Sequence, residues 1–339
     1  MLLLGPALLA QTGAGASIVL PPRIVAGQPA TLAVLNAEGE LVPGARVVFR
    51  GGAEHTADAT GRITFTAPNT PGILLVGLAD APGGASTLVA APTEDPPDVP
   101  DVSRFPRLIP LGETFTMNGS GFRGEADANR VMLGGRPALV LAASPVSLVV
   151  LPGPGALPGT SQLVIEAGEH SVGPVPVTLV ELSLSADKSS LAPRERGKLT
   201  VRVAGTERRL ELELRNLSPD RVSLDRGNQH RVITSGGADN TASATMRGLS
   251  QGEFTITARV VHEPVGMPDV EAARLQLMAA LEQAPPDWRR RTQRVLRMLD
   301  RRPVPVTRAR DELERMLADY PEGDFGRLIE AAWRTLIGR

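Results

Sequence analysis

The chain has 339 residues, a formal net charge of -1 from 36 Lys+Arg against 37 Asp+Glu, and no cysteine. The lack of cysteine excludes disulfides, thiolate nucleophiles and cysteine-ligated metal centres, and the balanced charge excludes a global field for nucleic acid or an anionic membrane. Hydrophobic residues at 42% are ample for packed cores, while aromatics at 3%, Gly 35 and Pro 30 suit aliphatic cores built from short strands and many turns. The length predicts several domains.

Residues 1–16 carry Leu2-Leu3-Leu4, Ala7-Leu8-Leu9-Ala10 and then Ala14-Gly15-Ala16, the small-x-small pattern of a cleavage site. This predicts a signal peptide over 1–16, although no Lys or Arg follows Met1. The run is too short to span a bilayer. The mature chain is expected to be secreted, periplasmic or at the cell surface, with no transmembrane segment.

Over 17–92, short alternating runs predict strands at 30–35, 45–50, 62–66, 73–79 and 87–91. Asn36-Ala37-Glu38-Gly39 and Asp58-Ala59-Thr60-Gly61 supply the turns, where glycine accepts positive φ. Residues 93–101, Thr93-Glu94-Asp95-Pro96-Pro97-Asp98-Val99-Pro100-Asp101, read as an extended linker. Its Asp95, Asp98 and Asp101 offer hard oxygen ligands at a domain junction and make Ca²⁺ an option there, against a simply solvated acidic linker. No other cofactor is expected.

A second β-module spans 102–181, with strands near 113–118, 130–133, 138–142, 147–151, 162–166 and 175–180. A third spans 182–263 and alternates cleanly through Leu199, Val201 and Val203, then Leu210, Leu212 and Leu214, then Phe254, Ile256, Ala258 and Val260. Each run puts one apolar face inward and Arg, Glu or Thr outward. Its loops 216–219 and 235–240 are places for a binding surface.

After Pro264 the period lengthens to that of a helix. Helices are predicted at 269–284, from Trp288 through Leu299, at 307–320 and at 324–337, with Asp269, Asp287, Thr307 and Asp324 at cap positions. The unit 264–339 is a small bundle or two hairpins, separate from a rod of sandwiches. Arg290, Arg291, Arg294 and Arg297, within the run 289–302, form a basic helix face opposite Trp288, Val295, Met298 and Leu299. Such arginines can clamp carboxylates, phosphates or acidic polymers; the plainer reading is a wet face partly neutralised by Asp287, Asp300, Glu312 and Glu314.

Gly119-Ser120-Gly121-Phe122-Arg123-Gly124 fits the spacing of a dinucleotide loop, but that chemistry needs a helix to follow, and Glu125 to Asn129 lead into another strand. His55, His170, His230 and His262 are scattered, without the paired spacing of a metal site, and no G-x-S-x-G elbow is present. An enzyme is not expected.

Thr116-Met117-Asn118-Gly119-Ser120-Gly121-Phe122, followed by Asn129-Arg130-Val131, Gly134-Gly135-Arg136-Pro137-Ala138 and Pro158-Gly159-Thr160, resembles the IPT/TIG family of immunoglobulin-like modules. The stretch from Gly39 to Val47, with Thr60-Gly61-Arg62-Ile63-Thr64-Phe65 and Pro71-Gly72, resembles bacterial Ig-like and carboxypeptidase-regulatory-like modules. With the alternation of the third module and the helical period of the tail, the resemblance implies three tandem immunoglobulin-like β-sandwiches, mainly β overall, followed by a C-terminal α-helical unit. It implies a secreted bacterial protein for adhesion or for contact with a protein or extracellular polymer, while the balanced charge argues against nucleic acid. The alternative is an accessory subunit of an extracellular enzyme system that docks through its helical tail.

Overall fold

The chain is mainly β, with several sheets and a C-terminal helical region. The computed structural model describes residues 16–80, 84–92, 99–188, 190–225, 227–261, 269–319 and 323–336. Residues 1–15, within the expected signal peptide, lie outside them, as do Asp95, Asp98 and His262.

The first β-unit comprises β1 (Ser17–Val19), β2 (Arg23–Val25), β3 (Pro29–Leu35), β4 (Arg46–Phe49), β5 (Glu54–Thr56), β6 (Arg62–Thr66), β7 (Gly72–Leu78) and β8 (Gly84–Ala90). One layer is β1-β3-β6 and the other β2-β8-β7-β4-β5. Ile24, Leu32, Val34, Val47, Ile63 and Phe65 fill the space between them. Burial of each such side chain contributes about 1.5–3 kcal/mol. The turn before β6 is fixed by Asp58, whose carboxylate accepts hydrogen bonds from the Thr60 hydroxyl at 2.7 Å, the Thr60 amide and the Arg62 amide. Those donors, the Thr60 hydroxyl first, hold its pKa below the usual carboxylate value. Gly61 sits there at φ 70°, and a Cβ would come within 2.7 Å of the Val42 amide nitrogen.

The second unit comprises β9 (Asp101–Arg104), β10 (Leu108–Pro110), β11 (Phe115–Ser120), a 3-10 turn (Ala126–Ala128), β12 (Asn129–Leu133), β13 (Arg136–Ser144), β14 (Ser147–Leu151), β15 (Gly159–Ala167) and β16 (His170–Ala186). β13 serves both layers. Its first residues pair with β12 and its later ones with β14, and the register shifts between Val140 and Ala142 as the strand crosses over. Met117, Leu133, Leu148, Leu163, Ile165 and Leu179 form the core.

The third unit adds β17 (Arg196–Ala204), β18 (Glu211–Asn216), β19 (Val222–Leu224), β20 (Gln229–Ile233), β21 (Thr241–Gly248) and β22 (Ile256–Val260). One layer runs β19-β21-β17-β16 and the other β20-β18-β22. β16 therefore belongs to two units: its first part pairs with β15 and its last six residues, from Glu181 to Ala186, pair with β17. A single 17-residue strand crosses the position where the sequence suggested a break between modules.

Units one and two also interlock. Thr31 of β3 pairs with Ala143 of β13. The Thr31 hydroxyl donates to the Gly124 carbonyl at 2.7 Å and accepts from the Ala126 amide at 3.2 Å. The buried Arg62 reaches Asp127 at 2.8 Å, and Ala33, Leu35 and Leu141 make a small apolar cluster of their own. The glycines of the dinucleotide-like pattern serve backbone packing. A Cβ on Gly119 would meet the Asp101 carbonyl at 1.9 Å, one on Gly121 the Val99 carbonyl at 2.6 Å, and one on Gly124 the Pro29 carbonyl at 2.1 Å. The loop leads into the 3-10 turn and β12, not into a helix that could hold a pyrophosphate.

The helices are α1 (Val270–Gln283), α2 (Pro286–Leu299), α3 (Val306–Ala318) and α4 (Gly323–Leu336). Asp269 caps α1, accepting from the Ala272 amide at 3.0 Å. The other expected caps differ. Pro285 and Pro305 occupy the cap positions of α2 and α3 with no side-chain bond, leaving Asp287 and Thr307 inside the first turn, and Asp324 lies inside α4 with an ion pair to Arg327. Proline's fixed φ suits it to these starts.

The bundle packs on the first β-unit. Leu75 belongs to the same apolar cluster as Ala273, Leu277, Val295, Leu313 and Ile329 of the bundle, and Ile73 packs against that cluster. Arg23 and Asp269 form an ion pair at the rim, and Arg50 stands 3.8 Å from Glu282. Asp269 thus joins a cap to an inter-unit contact. We expect Asp269→Ala to cost about 1–2 kcal/mol, most of it the cap, read as a lower denaturation midpoint and faster amide exchange in the first turn of α1.

The bundle also reaches the third unit, through charge. Arg231 of β20 bonds Glu314 of α3 at 2.6 Å. Glu330 of α4 pairs with Arg334 at 2.6 Å, and Arg334 first, then Arg259 and Arg215 of the third unit, hold the Glu330 carboxyl below the usual value. A carboxylate with a depressed folded pKa contributes stability above its unfolded value, near pH 4.3, and loses it as pH falls through the folded value. Acidification below about pH 4 is therefore expected to loosen the contact between bundle and third unit before the apolar contact with the first. Hydrogen exchange of β18 and β22 against β7, tracked across pH 5 to 3, checks the order.

Candidate functional site

The strongest charged surface is on α2. Thr292, Val295 and Leu299 face inward and are buried, so the opposite face is wet and carries arginines. At 100° per residue, Arg290, Arg294 and Arg297 fall within about 60° of one another and span about 10 Å of helix, and Arg301 follows just beyond the end of α2. All four are exposed.

Their partners divide the group. Arg291 leans toward α3: Nη1 meets Asp319 at 2.5 Å, Nε lies 3.8 Å from Glu312, and the guanidinium stands 5.0 Å from the Trp288 ring centre. Arg294 is 3.8 Å from Glu312, and Arg315 reaches the same carboxylate at 3.0 Å. Glu312 is only 4% exposed, so one buried acid is shared by three guanidinium groups. Arg290, Arg297 and Arg301 make no ion pair among the described residues; Arg297 Nε donates to the Gln293 carbonyl at 3.3 Å.

Glu312 stands out from the neighbouring acids by its burial. The signal is its position, since 309, 312, 313 and 316 form one helical stripe that is otherwise apolar. Asp287 and Asp300 make no ion pair with the row among the described residues. Asp300 is turned to Arg274 at 3.2 Å, and Asp287 makes no ion pair among the described residues.

The remaining candidates are scattered. Asp101 begins β9 and pairs in register with Ser120, while Asp95 and Asp98 lie outside the described residues. His55 stacks on Phe49 with ring centres 4.6 Å apart, His170 opens β16 and His230 is buried in β20, so the described histidines occupy three different units or edges. Open depressions are present among the described residues. One, of about 480 Å³, lies over β12 and β15 between Met132, Gly134, Gly135 and Ser161; another, of about 340 Å³, lies over β17 and β21 beside Lys188 and Asp225. Lys188 is engaged with Glu195 at 2.6 Å, which raises the ammonium pKa and lowers that of the carboxylate.

No family model and no curated protein matches the chain. Among solved structures, the full extracellular region of plexin A4 is similar over 71% of this chain and 22% of its own length, at 14% identity and TM-score 0.27. SGBP-B of the Bacteroides ovatus mixed-linkage glucan utilization locus, in complex with a mixed-linkage heptasaccharide, is similar over 72% of this chain and 60% of its own, at 16% identity and TM-score 0.21. Domains 1–6 of the surface layer protein SbsC are similar over 74% of this chain and 39% of their own, at 13% identity and TM-score 0.18. The chain thus spans less than two thirds of each of these proteins, and at these scores the similarities carry no activity, ligand or partner over to it.

Proposed function

We propose that the chain is an exported, non-enzymatic binding or scaffold protein made of three immunoglobulin-like sandwiches, the middle one of IPT/TIG type, and a helical tail. The observation that carries this reading is the mechanical continuity of the β-region: β16 is shared by two units, and β3 is locked to β13 and to the Gly124 turn. Backbone pairing between units fixes their geometry, as a device for holding contact surfaces at set spacing requires. The leader of residues 1–16 supports export. The alternative, an accessory subunit whose tail docks a catalytic partner, is less favoured because the apolar face of the tail is already applied to Ile73 and Leu75.

Incubation of the full chain with isolated cell-envelope polymer tests the reading. Retention without release of soluble fragments is expected, and stoichiometric excess of released product over protein would replace the scaffold with an enzyme.

A further inference from the structure

We infer that the exposed arginine row of α2 is a binding surface for a linear acidic polysaccharide, one carrying carboxylates along its length. The inference rests on the scaffold reading and names the scaffold's partner. The row is Arg290, Arg294 and Arg297, about one guanidinium per helical turn on a single face, with Arg301 exposed just beyond the end of the helix. Arg290, Arg297 and Arg301 have no acidic partner among the described residues, and the single buried Glu312 is divided among Arg291, Arg294 and Arg315. The surface therefore carries uncompensated positive charge even though the chain as a whole is at -1.

Arginine is the residue suited to this task. Its planar fork meets a carboxylate with two parallel hydrogen bonds and is less strongly hydrated than an ammonium group. A row extended along a helix fits an extended chain of charges better than a compact anion, which would need convergent groups around one point.

Other polyanionic partners fit the surface less well. A folded protein would need an apolar centre to its interface, and a membrane would need apolar side chains to insert. On α2 the apolar residues Val295 and Leu299 are buried, and Leu296 and Met298 are half-buried on the packed side. Single-stranded nucleic acid would need a free aromatic platform. Trp288 packs on Phe325 with ring centres 5.7 Å apart and is covered by Arg291. A hydrophilic polymer remains.

The test is binding of the full chain to polygalacturonate, by calorimetry at physiological ionic strength, with dextran, polyphosphate and anionic phospholipid vesicles as comparison probes. The variant R290Q/R297Q/R301Q removes only side chains without ion pairs, so the fold should be kept, and a circular-dichroism melt verifies it. The expected result is binding to polygalacturonate, none to dextran, weakening as salt is raised, and a loss of about 30-fold or more in the triple variant. The control R104Q/R136Q, on exposed arginines of the second unit, should bind as the parent does. No binding by the parent, equal binding by the triple variant, or preference for polyphosphate or vesicles would each overturn the inference. Release of polymer fragments with binding intact would overturn the scaffold reading instead, and leave the arginine row standing.

Discussion

Gly124→Val is expected to lower the stability of the β-region by about 3 kcal/mol or more and to open the junction between the first two units. The glycine lies where two backbones nearly touch: a Cβ would sit 2.1 Å from the Pro29 carbonyl oxygen and 2.5 Å from its carbon. No rotamer relieves this, because the clash begins at Cβ and its target is main chain. The turn must move, and it carries the Gly124 carbonyl and the Ala126 amide away from Thr31. Overpacking alone costs about 1–3 kcal/mol, and leaving buried hydrogen-bonding groups unpaired adds about as much. Gly135→Ala is the informative contrast. It replaces a glycine at positive φ, but its Cβ would meet nothing within 4 Å, so a cost of about 1–2 kcal/mol confined to its own turn is expected. Chemical denaturation, with hydrogen exchange at residues 29–33 and 124–128, separates the two. Equal behaviour of the two variants would remove the junction argument.

The strands and helices are legible where periodicity is strong. The predicted 62–66 and 147–151 coincide with β6 and β14, and the four helices fall within a few residues of prediction, because alternation and the 3.6-residue stripe report burial directly. The less visible elements are small-residue strands. β21 buries Ala242, Ala244 and Met246, and a run of alanine and threonine carries little hydropathy contrast even when its alternation is perfect. Only 175–180 of β16 is legible, because Gly173, Pro174 and Pro176 look like breakers, yet its pairings with β15 and β17 carry it to Ala186. Relations between units are not readable at all, with one exception. The run Ile73-Leu74-Leu75-Val76 is apolar at every position, which is the pattern of a strand covered on both faces. Leu74 and Val76 point into the first sandwich, and Leu75 joins the bundle core.

The candidate surface divides in the same way. The arginines of α2 are readable from sequence, since spacing alone puts Arg290, Arg294 and Arg297 on one face. Which of them are free is not, because that depends on α3 and the residue after it supplying Glu312 and Asp319 to Arg291. Cap residues differ from expectation for a local reason: Pro285 and Pro305 begin their helices through fixed φ, so Asp287 and Thr307 are shifted one position or more into the first turn.

Leu75→Asp is expected to release the helical bundle from the first sandwich while leaving that sandwich folded. Leu75 is 6% exposed and surrounded by bundle side chains, whereas its neighbours Leu74 and Val76 supply the inner core. A carboxylate at that position enters an apolar setting, and burying it unpaired costs about 3–5 kcal/mol. The chain can avoid this cost by undocking the bundle, which exposes the new carboxylate to water. Of the remaining ties, Arg23 to Asp269, Arg50 to Glu282 and Arg231 to Glu314 are rim or surface ion pairs worth about 0–1 kcal/mol each, and the packing of Ile73 and the attraction of Arg259 and Arg215 for Glu330 lie around the Leu75 contact rather than replacing it. Two readouts check this outcome. The radius of gyration from X-ray scattering should rise, and thermal unfolding should split so that the helical signal melts below the β signal. Leu74→Asp, one residue away and facing inward, should instead unfold the first sandwich itself. If Leu75→Asp and Leu74→Asp fail in the same way, the two faces of β7 are not independent, and the bundle is part of the sandwich core rather than docked upon it.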